Sequence, residues 1–217
     1  MTLELFAHPF SSYCQKALIA FYENDISFAY RFMEDPGVGQ ELASLWPLRK
    51  FPILRDDGQV VLEASTIIEH LHVRHPGPVE LIPDDPATAV EVRMLDRFFD
   101  NYVMTPQGKF VLDALRPPES RDLYGVEEAR KMLDVSYAWL DKRLKGRIWA
   151  AGNAFSLADC AAAPSLFYAD WTYRIPAHYE ELTAYRTRLL ARPSFARAVD
   201  EARRFRHYFP LGAPDRD

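Results

Sequence analysis

The chain has 217 residues, which is enough for one large domain or two small ones with a substantial core. Its formal charge of −5 argues against binding to a nucleic-acid backbone, which requires a basic face. The two cysteines, Cys14 and Cys160, show neither metal-ligand spacing nor a disulfide framework, and we see no signal peptide or membrane-spanning run. We therefore expect a cytoplasmic protein that is not associated with a membrane.

A strand and a helix open the chain. Residues 3–6 predict a short strand, "AHPFSS" a loop, and residues 12–24 a helix. The helix is indicated by one apolar face, formed by Cys14, Ala17, Leu18 and Phe21. Because Cys14 belongs to this face, we interpret it as a buried core thiol. A nucleophilic thiolate requires a partly exposed, electropositive setting.

The next elements complete a mixed α/β unit. Residues 26–32 predict a strand parallel to the first through a right-handed crossover, and residues 40–45 a short helix. Asp57-Gly58 lies between two apolar runs, a strong hairpin signal, and a third helix follows. This βαβ-α-ββα order, ending near residue 76, predicts a thioredoxin-like domain.

The start of the third helix is a candidate binding site. Its first backbone N–H groups have no intrahelical partner and suit a carboxylate, whereas Glu63 suits an ammonium. Together with Ser65 they are able to hold an amino acid by its backbone. A helix cap beside a solvated acid is the alternative interpretation. At the other end of this helix His70, His72 and His75 do not form a clean ligand face, and we expect no metal site.

The remainder of the chain is predicted to be helical. Residues 77–86 are rich in proline and acidic side chains and predict a linker, and residues 87–217 predict an all-helical domain. Helices are expected over about 87–115, 126–144, 177–190 and 194–206. Between the second and third of these, Ser156 and Asp159 have the spacing of a capping box at the start of a further, buried helix.

These features together resemble the glutathione transferase family, over essentially the whole chain. The resemblance is carried by Pro52 after the apolar Phe51, by the acid and serine at the next helix start, and by the "S-x-x-D" box at residues 156–159. It implies a cis bond before Pro52, glutathione as co-substrate, a small hydrophobic electrophile as second substrate, no metal, and a homodimer. The bound amino acid is then the γ-glutamyl end of glutathione.

In this family a hydroxyl at the turn between the first strand and helix activates the glutathione thiol. Phe6 has no hydroxyl, so the tyrosine-type arrangement on strand 1 is absent. Similarity of "SSYCQKALIAF" to the serine classes implies Ser11 as the catalytic residue, with Ser12 as the nearest rival and Tyr13 a more distant one. The resemblance therefore implies a serine-type enzyme.

The resemblance also implies the remaining glutathione contacts, with Ser12 among them. The backbone of Phe51, beside Pro52, pairs with the cysteinyl part, Glu63 takes the ammonium, and the Ala64 N–H takes the γ-glutamyl carboxylate. Ala64 departs from the family, which usually has serine there, and Ser65 is the substitute hydroxyl. Lys50 or Arg49 is the candidate partner of the glycyl carboxylate.

The second-substrate site is expected against the helical domain, where Phe99, Tyr102, Met104 and Trp171 serve either as its walls or as core residues. The primary functional hypothesis is a glutathione transferase. A glutathione-dependent isomerase or dehalogenase is the enzymatic alternative, since "SSYC" is reminiscent of the serine-cysteine run of the isomerase class. A member of the family that binds glutathione without turnover is the non-enzymatic alternative.

Overall fold

The structure is a computed structural model and describes residues 3–217; residues 1 and 2 of the predicted first domain lie outside it. The first part of the chain contains four strands and three helices. In chain order they are β1 (Leu3–Ala7), α1 (Ser12–Glu23), β2 (Ala29–Phe32), α2 (Val38–Leu45), β3 (Ile53–Asp56), β4 (Gln59–Leu62) and α3 (Ala64–Arg74).

These strands form one sheet in the order β2-β1-β3-β4. The β1–β2 pair is parallel and the other two pairs are antiparallel, with β3 and β4 joined through Asp57-Gly58. Gly58 has a φ of +90°, which suits a glycine at this turn. The predicted thioredoxin-like topology is confirmed.

One strand is shorter than predicted. The parallel ladder begins at Ala29, opposite Glu4, and residues 26–28 precede it. The Ile26 N–H instead donates to the Phe21 carbonyl at 3.0 Å, so this segment closes the end of α1 before it can join the sheet. The apolar pattern reports which side chains are buried, and it does not separate a helix-closing loop from a strand.

The rest of the chain is helical, as predicted. Its elements are α4 (Pro86–Phe98), a π-helical turn (Phe99–Met104), α5 (Thr105–Ala114), a 3₁₀ turn (Pro118–Ser120), α6 (Leu123–Leu144), α7 (Leu157–Thr172), α8 (Glu180–Ala191), α9 (Pro193–Ala202) and a final 3₁₀ segment (Arg203–Tyr208). Among the described residues no helix has the length and apolar character needed to cross a bilayer. The exact domain boundaries at residues 76 and 87 stay a prediction.

The single helix expected over residues 87–115 is interrupted by the π-helical turn. Pro106 explains the interruption, because a proline ring clashes with the carbonyl four residues earlier, here that of Tyr102. That carbonyl accepts a hydrogen bond from the Ser136 hydroxyl of α6 at 2.8 Å. Thr105 Oγ1 donates to the Asp100 carbonyl, five residues earlier.

Helix α1 packs against the sheet-side helix α3 and against α7 and α9 of the helical part, and all of residues 14–21 are buried. At the centre of the helical part α7 begins with the predicted capping box, in which Ser156 and Asp159 satisfy each other's backbone N–H groups. Asp159 also accepts hydrogen bonds from Ala150 N and Tyr185 Oη. The larger of the two hydrophobic clusters found among the described residues therefore spans both parts of the chain.

Candidate functional site

A cleft of about 570 Å³ lies where the sheet-containing part meets the π-helical turn. Its walls come from the loop before α1, the segment between α2 and β3, the start of α3, and the turn after α4. The lining residues are Ser11, Tyr13, Trp46, Arg49, Lys50, Phe51, Pro52, Ile53, Leu62, Glu63, Ala64, Asp100 and Asn101. The starts of α1 and α3 thus open into the same space.

Ser11 lies at the α1 end of the cleft and is the N-cap of that helix. Its backbone is extended (φ −82°, ψ 124°), and its Oγ accepts the Cys14 N–H at 3.4 Å. This cap uses the hydroxyl as an acceptor, and donating the hydroxyl proton to a ligand in the cleft is compatible with it. Ser12, the nearest rival, is the first residue of the helix and does not line the cleft.

Two further side chains near Ser11 are poor nucleophiles. Burial raises the pKa of the Cys14 thiol to about 12, and Cys14 is fully buried, which agrees with its interpretation as a core residue. Burial, assisted by the Asp100 carboxylate, raises the pKa of Tyr13 to about 12. The Tyr13 phenol is therefore neutral at physiological pH, and it is a hydrogen-bond donor on the cleft wall.

The loop before β3 contains the backbone feature implied by the resemblance, because the Phe51–Pro52 peptide bond is cis. Pro52 is buried and Phe51 is half-buried at the cleft. The ladder of β3 begins only at Ile53, so the Phe51 amide and carbonyl have no sheet partner among the described residues. Lys50 and Arg49, both exposed, lie at the edge of this loop.

The start of α3 is open toward the cleft. Glu63 occupies the N-cap position, but its side chain makes no capping hydrogen bond to the helix. Its φ of +69° is unusual for a residue other than glycine, and such strain is concentrated at functional sites. The first intrahelical bond runs from Ile67 N to Glu63 O, so the Ala64 N–H remains a free end of the helix beside the Glu63 carboxylate.

Ser65 is placed differently from the expectation that it serves as the substitute hydroxyl. Its Oγ donates to Asp96 Oδ2 at 2.8 Å and accepts from Lys16 Nζ at 2.9 Å, and it does not line the cleft. The hydroxyl is directed into the contact between α3, α1 and α4. A one-residue step along a helix turns a side chain by about 100°, which explains why Ala64 lines the cleft and Ser65 does not.

Lys16 is the centre of this buried contact. Its ammonium, 1% exposed, lies 2.6 Å from Asp96 Oδ1 and 2.6 Å from Asp100 Oδ2. One cation therefore forms ion pairs with two carboxylates that belong to the helical part of the chain. Burial, reinforced by the nearby Asp96, raises the pKa of Asp100 despite the opposing effect of Lys16. The network joins the helices that carry Ser11 and Glu63 to α4, and Asp100 extends it to the cleft.

Comparison with known proteins agrees with this arrangement. Residues 5–79 match the model described as "Glutathione S-transferase, N-terminal domain", and residues 103–193 match "Glutathione S-transferase, C-terminal domain". The chain belongs to the glutathione S-transferase family. The two matches cover most of the sequence and both parts of the fold, so the family assignment does not depend on the cleft alone.

Individual relatives of this glutathione S-transferase family member differ in their described roles. FtsZ-localized protein A of Caulobacter vibrioides is 28% identical over 180 residues, 78% of this chain and 77% of the relative. A probable maleylacetoacetate isomerase of Caenorhabditis elegans is 25% identical over 170 residues, 76% and 78% of the two chains. A glutathione S-transferase of Methylobacillus flagellatus, solved with GSH bound, superposes with a TM-score of 0.82 at 25% identity, covering 91% of this chain and 98% of the other.

The residues expected at the electrophile site are mostly core residues. Phe99 and Met104 are buried in the main core, and Trp171, 9% exposed, packs on Phe10 and Phe167. Tyr102 is 46% exposed but lies outside the cleft lining. The apolar stripe in this segment therefore corresponds to packing. A larger groove of about 1010 Å³, between β2 and α9, contains none of the predicted glutathione-binding residues.

The sequence interpretation missed several residues of the site, namely Trp46, Asp96, Asp100 and Asn101, and it gave Lys16 no role of its own. Lys16 carried a signal, because a lysine inside an eight-residue buried run requires a buried anion as partner. The sequence around Asp100 and Asn101 gave no such signal, since only the π-helical turn directs these two residues to the cleft.

Proposed function

We propose that this protein is a serine-type glutathione transferase that activates the glutathione thiol through Ser11 and transfers the tripeptide to a small hydrophobic electrophile. The observation that carries the proposal is that Ser11, the Phe51–Pro52 cis bond and the open start of α3 line one cleft. We further propose that it acts as a cytoplasmic homodimer.

The γ-glutamyl end of glutathione fits the start of α3. Glu63 pairs with its ammonium, and the Ala64 N–H, at the positive end of the helix dipole, donates to its carboxylate. The free amide and carbonyl of Phe51 pair with the cysteinyl backbone, as an added strand would. Lys50 or Arg49 meets the glycyl carboxylate. The extended tripeptide then places its thiol near Ser11.

Thiol activation requires preferential stabilisation of the thiolate. A free thiol has a pKa near 8.5, and lowering it by about two units requires about 2.7 kcal/mol. One well-placed hydroxyl donor supplies an amount of that size, and the N-terminus of α1 adds a favourable dipole. The Ser11 hydroxyl therefore suffices, and no general base is required.

Two alternatives follow from the relatives. Similarity to the probable maleylacetoacetate isomerase, together with "SSYC", favours an isomerase as second candidate. In that reaction the same thiolate adds and later leaves. Similarity to FtsZ-localized protein A, together with Ala64, favours a member that binds glutathione or a protein partner without turnover.

Three assays separate these candidates. Retention on immobilised glutathione together with conjugation of a chloronitrobenzene supports the transferase. Activity on a maleyl substrate without conjugation supports the isomerase. Retention with neither activity leaves glutathione binding without turnover, and absence of retention contradicts the placement of glutathione in the cleft.

Glu63→Gln is expected to weaken glutathione binding by about 10- to 100-fold, because a charge-assisted hydrogen bond to the ammonium contributes roughly 1.5–3 kcal/mol. Isothermal titration calorimetry with glutathione measures the change. Glu128→Gln is the matched control, since it removes the same charge from an exposed site on α6. If the two variants bind glutathione with equal affinity, the glutathione ammonium does not pair with Glu63.

A further inference from the structure

A cluster of three metal-ligating side chains lies away from the cleft, at the opposite end of α3. Asp56 is the last residue of β3, His70 is in the last part of α3, and His75 directly follows the helix. Both imidazole Nε2 atoms lie 2.8 Å from the same carboxylate oxygen, Asp56 Oδ2. The three donor atoms lie within 4.8 Å of one another.

The cluster is well shielded from solvent. The side-chain exposure is 9% for Asp56, 10% for His70 and 18% for His75. Among the described residues the Asp56 carboxylate has no lysine or arginine within 4.0 Å, and the neighbouring Arg55 is committed to Glu4 and Glu41. A buried carboxylate requires a compensating charge, which here is either a protonated imidazole or a bound cation.

The sequence spacing did not predict this arrangement, because His75 is not helical. Its backbone (φ −135°, ψ 57°) leaves the helix after Arg74. The imidazole is therefore free to fold back toward His70 and the end of β3, whereas a helical residue five positions on from His70 would face away. His72, which is half-buried on the helix itself, does not belong to the cluster.

We propose that Asp56, His70 and His75 bind one divalent transition-metal ion, with Zn²⁺ the best match. Two imidazole nitrogens and one carboxylate oxygen suit zinc and its neighbours Co²⁺ and Ni²⁺, and solvent completes the fourth position. Bonds of about 2.0–2.2 Å in tetrahedral geometry separate the donors by roughly 3.3 Å. The present 2.8 Å contacts need to open by only about 0.5 Å.

Coordination requires both Nε2 atoms to give up their protons, by a change of tautomer at a neutral imidazole and by release of one proton to solvent from a protonated one. In the metal-free cluster each Nε2 is placed to donate its proton to Asp56, and in the bound cluster each Nε2 presents its lone pair to the ion. The proton of each neutral imidazole then lies on Nδ1. The ion replaces the shared hydrogen bonds and fastens the end of α3 to the β3–β4 hairpin.

The test uses the full chain without a histidine tag, dialysed against a chelator and then titrated with Zn²⁺ or Co²⁺ by calorimetry and visible absorption. We expect one ion per chain, and a rise in melting temperature of about 5–10 °C when free Zn²⁺ exceeds the Kd about a hundredfold. His70→Gln and His75→Gln each weaken binding about tenfold or more. His72→Gln, on the same helix but outside the cluster, binds as the unmodified chain does.

Glutamine is chosen for the histidine variants because its side-chain N–H can still donate a hydrogen bond to Asp56. Circular dichroism verifies that each variant is folded. Asp56→Asn gives an independent removal of the third ligand. Absence of stoichiometric uptake by the unmodified chain overturns the proposal. Equal affinity in the unmodified chain and all three cluster variants overturns it as well. Glutathione retention is measured in parallel, because the metal site does not depend on the function proposed for the cleft.

Discussion

Ser11→Ala is expected to lower kcat/KM for conjugation of a chloronitrobenzene by about 100- to 1,000-fold, the usual effect of removing one donor to a developing or stabilised anion. Glutathione should still bind, because the proposed binding mode holds its γ-glutamyl end at α3. At saturating glutathione, the pKa seen in the pH profile of kcat/KM for the chloronitrobenzene should rise by about two units toward that of a free thiol near 8.5. A spectroscopic titration of the bound thiol measures the same shift without turnover.

The variant needs two controls, because Ser11 is also the N-cap of α1. Loss of the cap alone costs about 1 kcal/mol of stability, which thermal unfolding detects and which does not move the thiol pKa. Ser12→Ala is the matched control, since the adjacent hydroxyl lies outside the cleft lining. If Ser12→Ala raises the thiol pKa and Ser11→Ala does not, the catalytic assignment passes to Ser12. If the thiol pKa is unchanged in both variants, the serine-type mechanism is contradicted.

Lys16→Met should lower the free energy of unfolding by about 3–5 kcal/mol, the usual effect of removing one partner from a buried ion pair. The methionine is similar in length, but it leaves Asp96 and Asp100 buried without their shared cation. Chemical denaturation at pH 7 measures the change. Adding Asp96→Asn and Asp100→Asn to the same chain should restore most of the loss, because no uncompensated buried charge then remains. An unchanged free energy of unfolding in the single variant would contradict the role assigned to Lys16.

The same variant gives a pH dependence of defined sign. The pKa of Asp100 is already raised by burial, and removing Lys16 raises it further. A carboxyl whose pKa is higher in the folded than in the unfolded protein binds more protons when folded, so its contribution to stability falls as pH increases through that interval. The deficit of Lys16→Met relative to the unmodified chain should therefore be smaller at about pH 4–5 than at pH 7.

The sequence predicted the features that depend on local pattern. The apolar face of α1, the Asp57-Gly58 hairpin and the Ser156–Asp159 box each report a short-range preference, and each is confirmed. The family resemblance added the cis bond before Pro52, which pattern alone does not predict. Ser11 was predicted as the catalytic residue, and Phe51, Glu63 and Ala64 as glutathione contacts; all four line one cleft.

The features that were not predicted depend on contacts between distant segments. Ser65 is directed to Lys16 and Asp96 because α1 and α4 offer buried partners there. Phe99 and Met104 share an apolar pattern with true pocket walls, and only the packing of α7 against the π-helical turn assigns them to the core. His75 contacts Asp56 because the helix ends one residue earlier.

The π-helical turn at Phe99–Met104 has a consequence for how the sequence of the helical part can vary. A π-helical turn contains one extra residue. The side chains of the residues that follow it are therefore rotated about the helix axis by roughly 100° relative to an uninterrupted helix. The Lys16-bound carboxylates lie before or within this offset, and α5 lies after it. Residues of α5 can therefore be exchanged while Asp96 and Asp100 keep their register against Lys16.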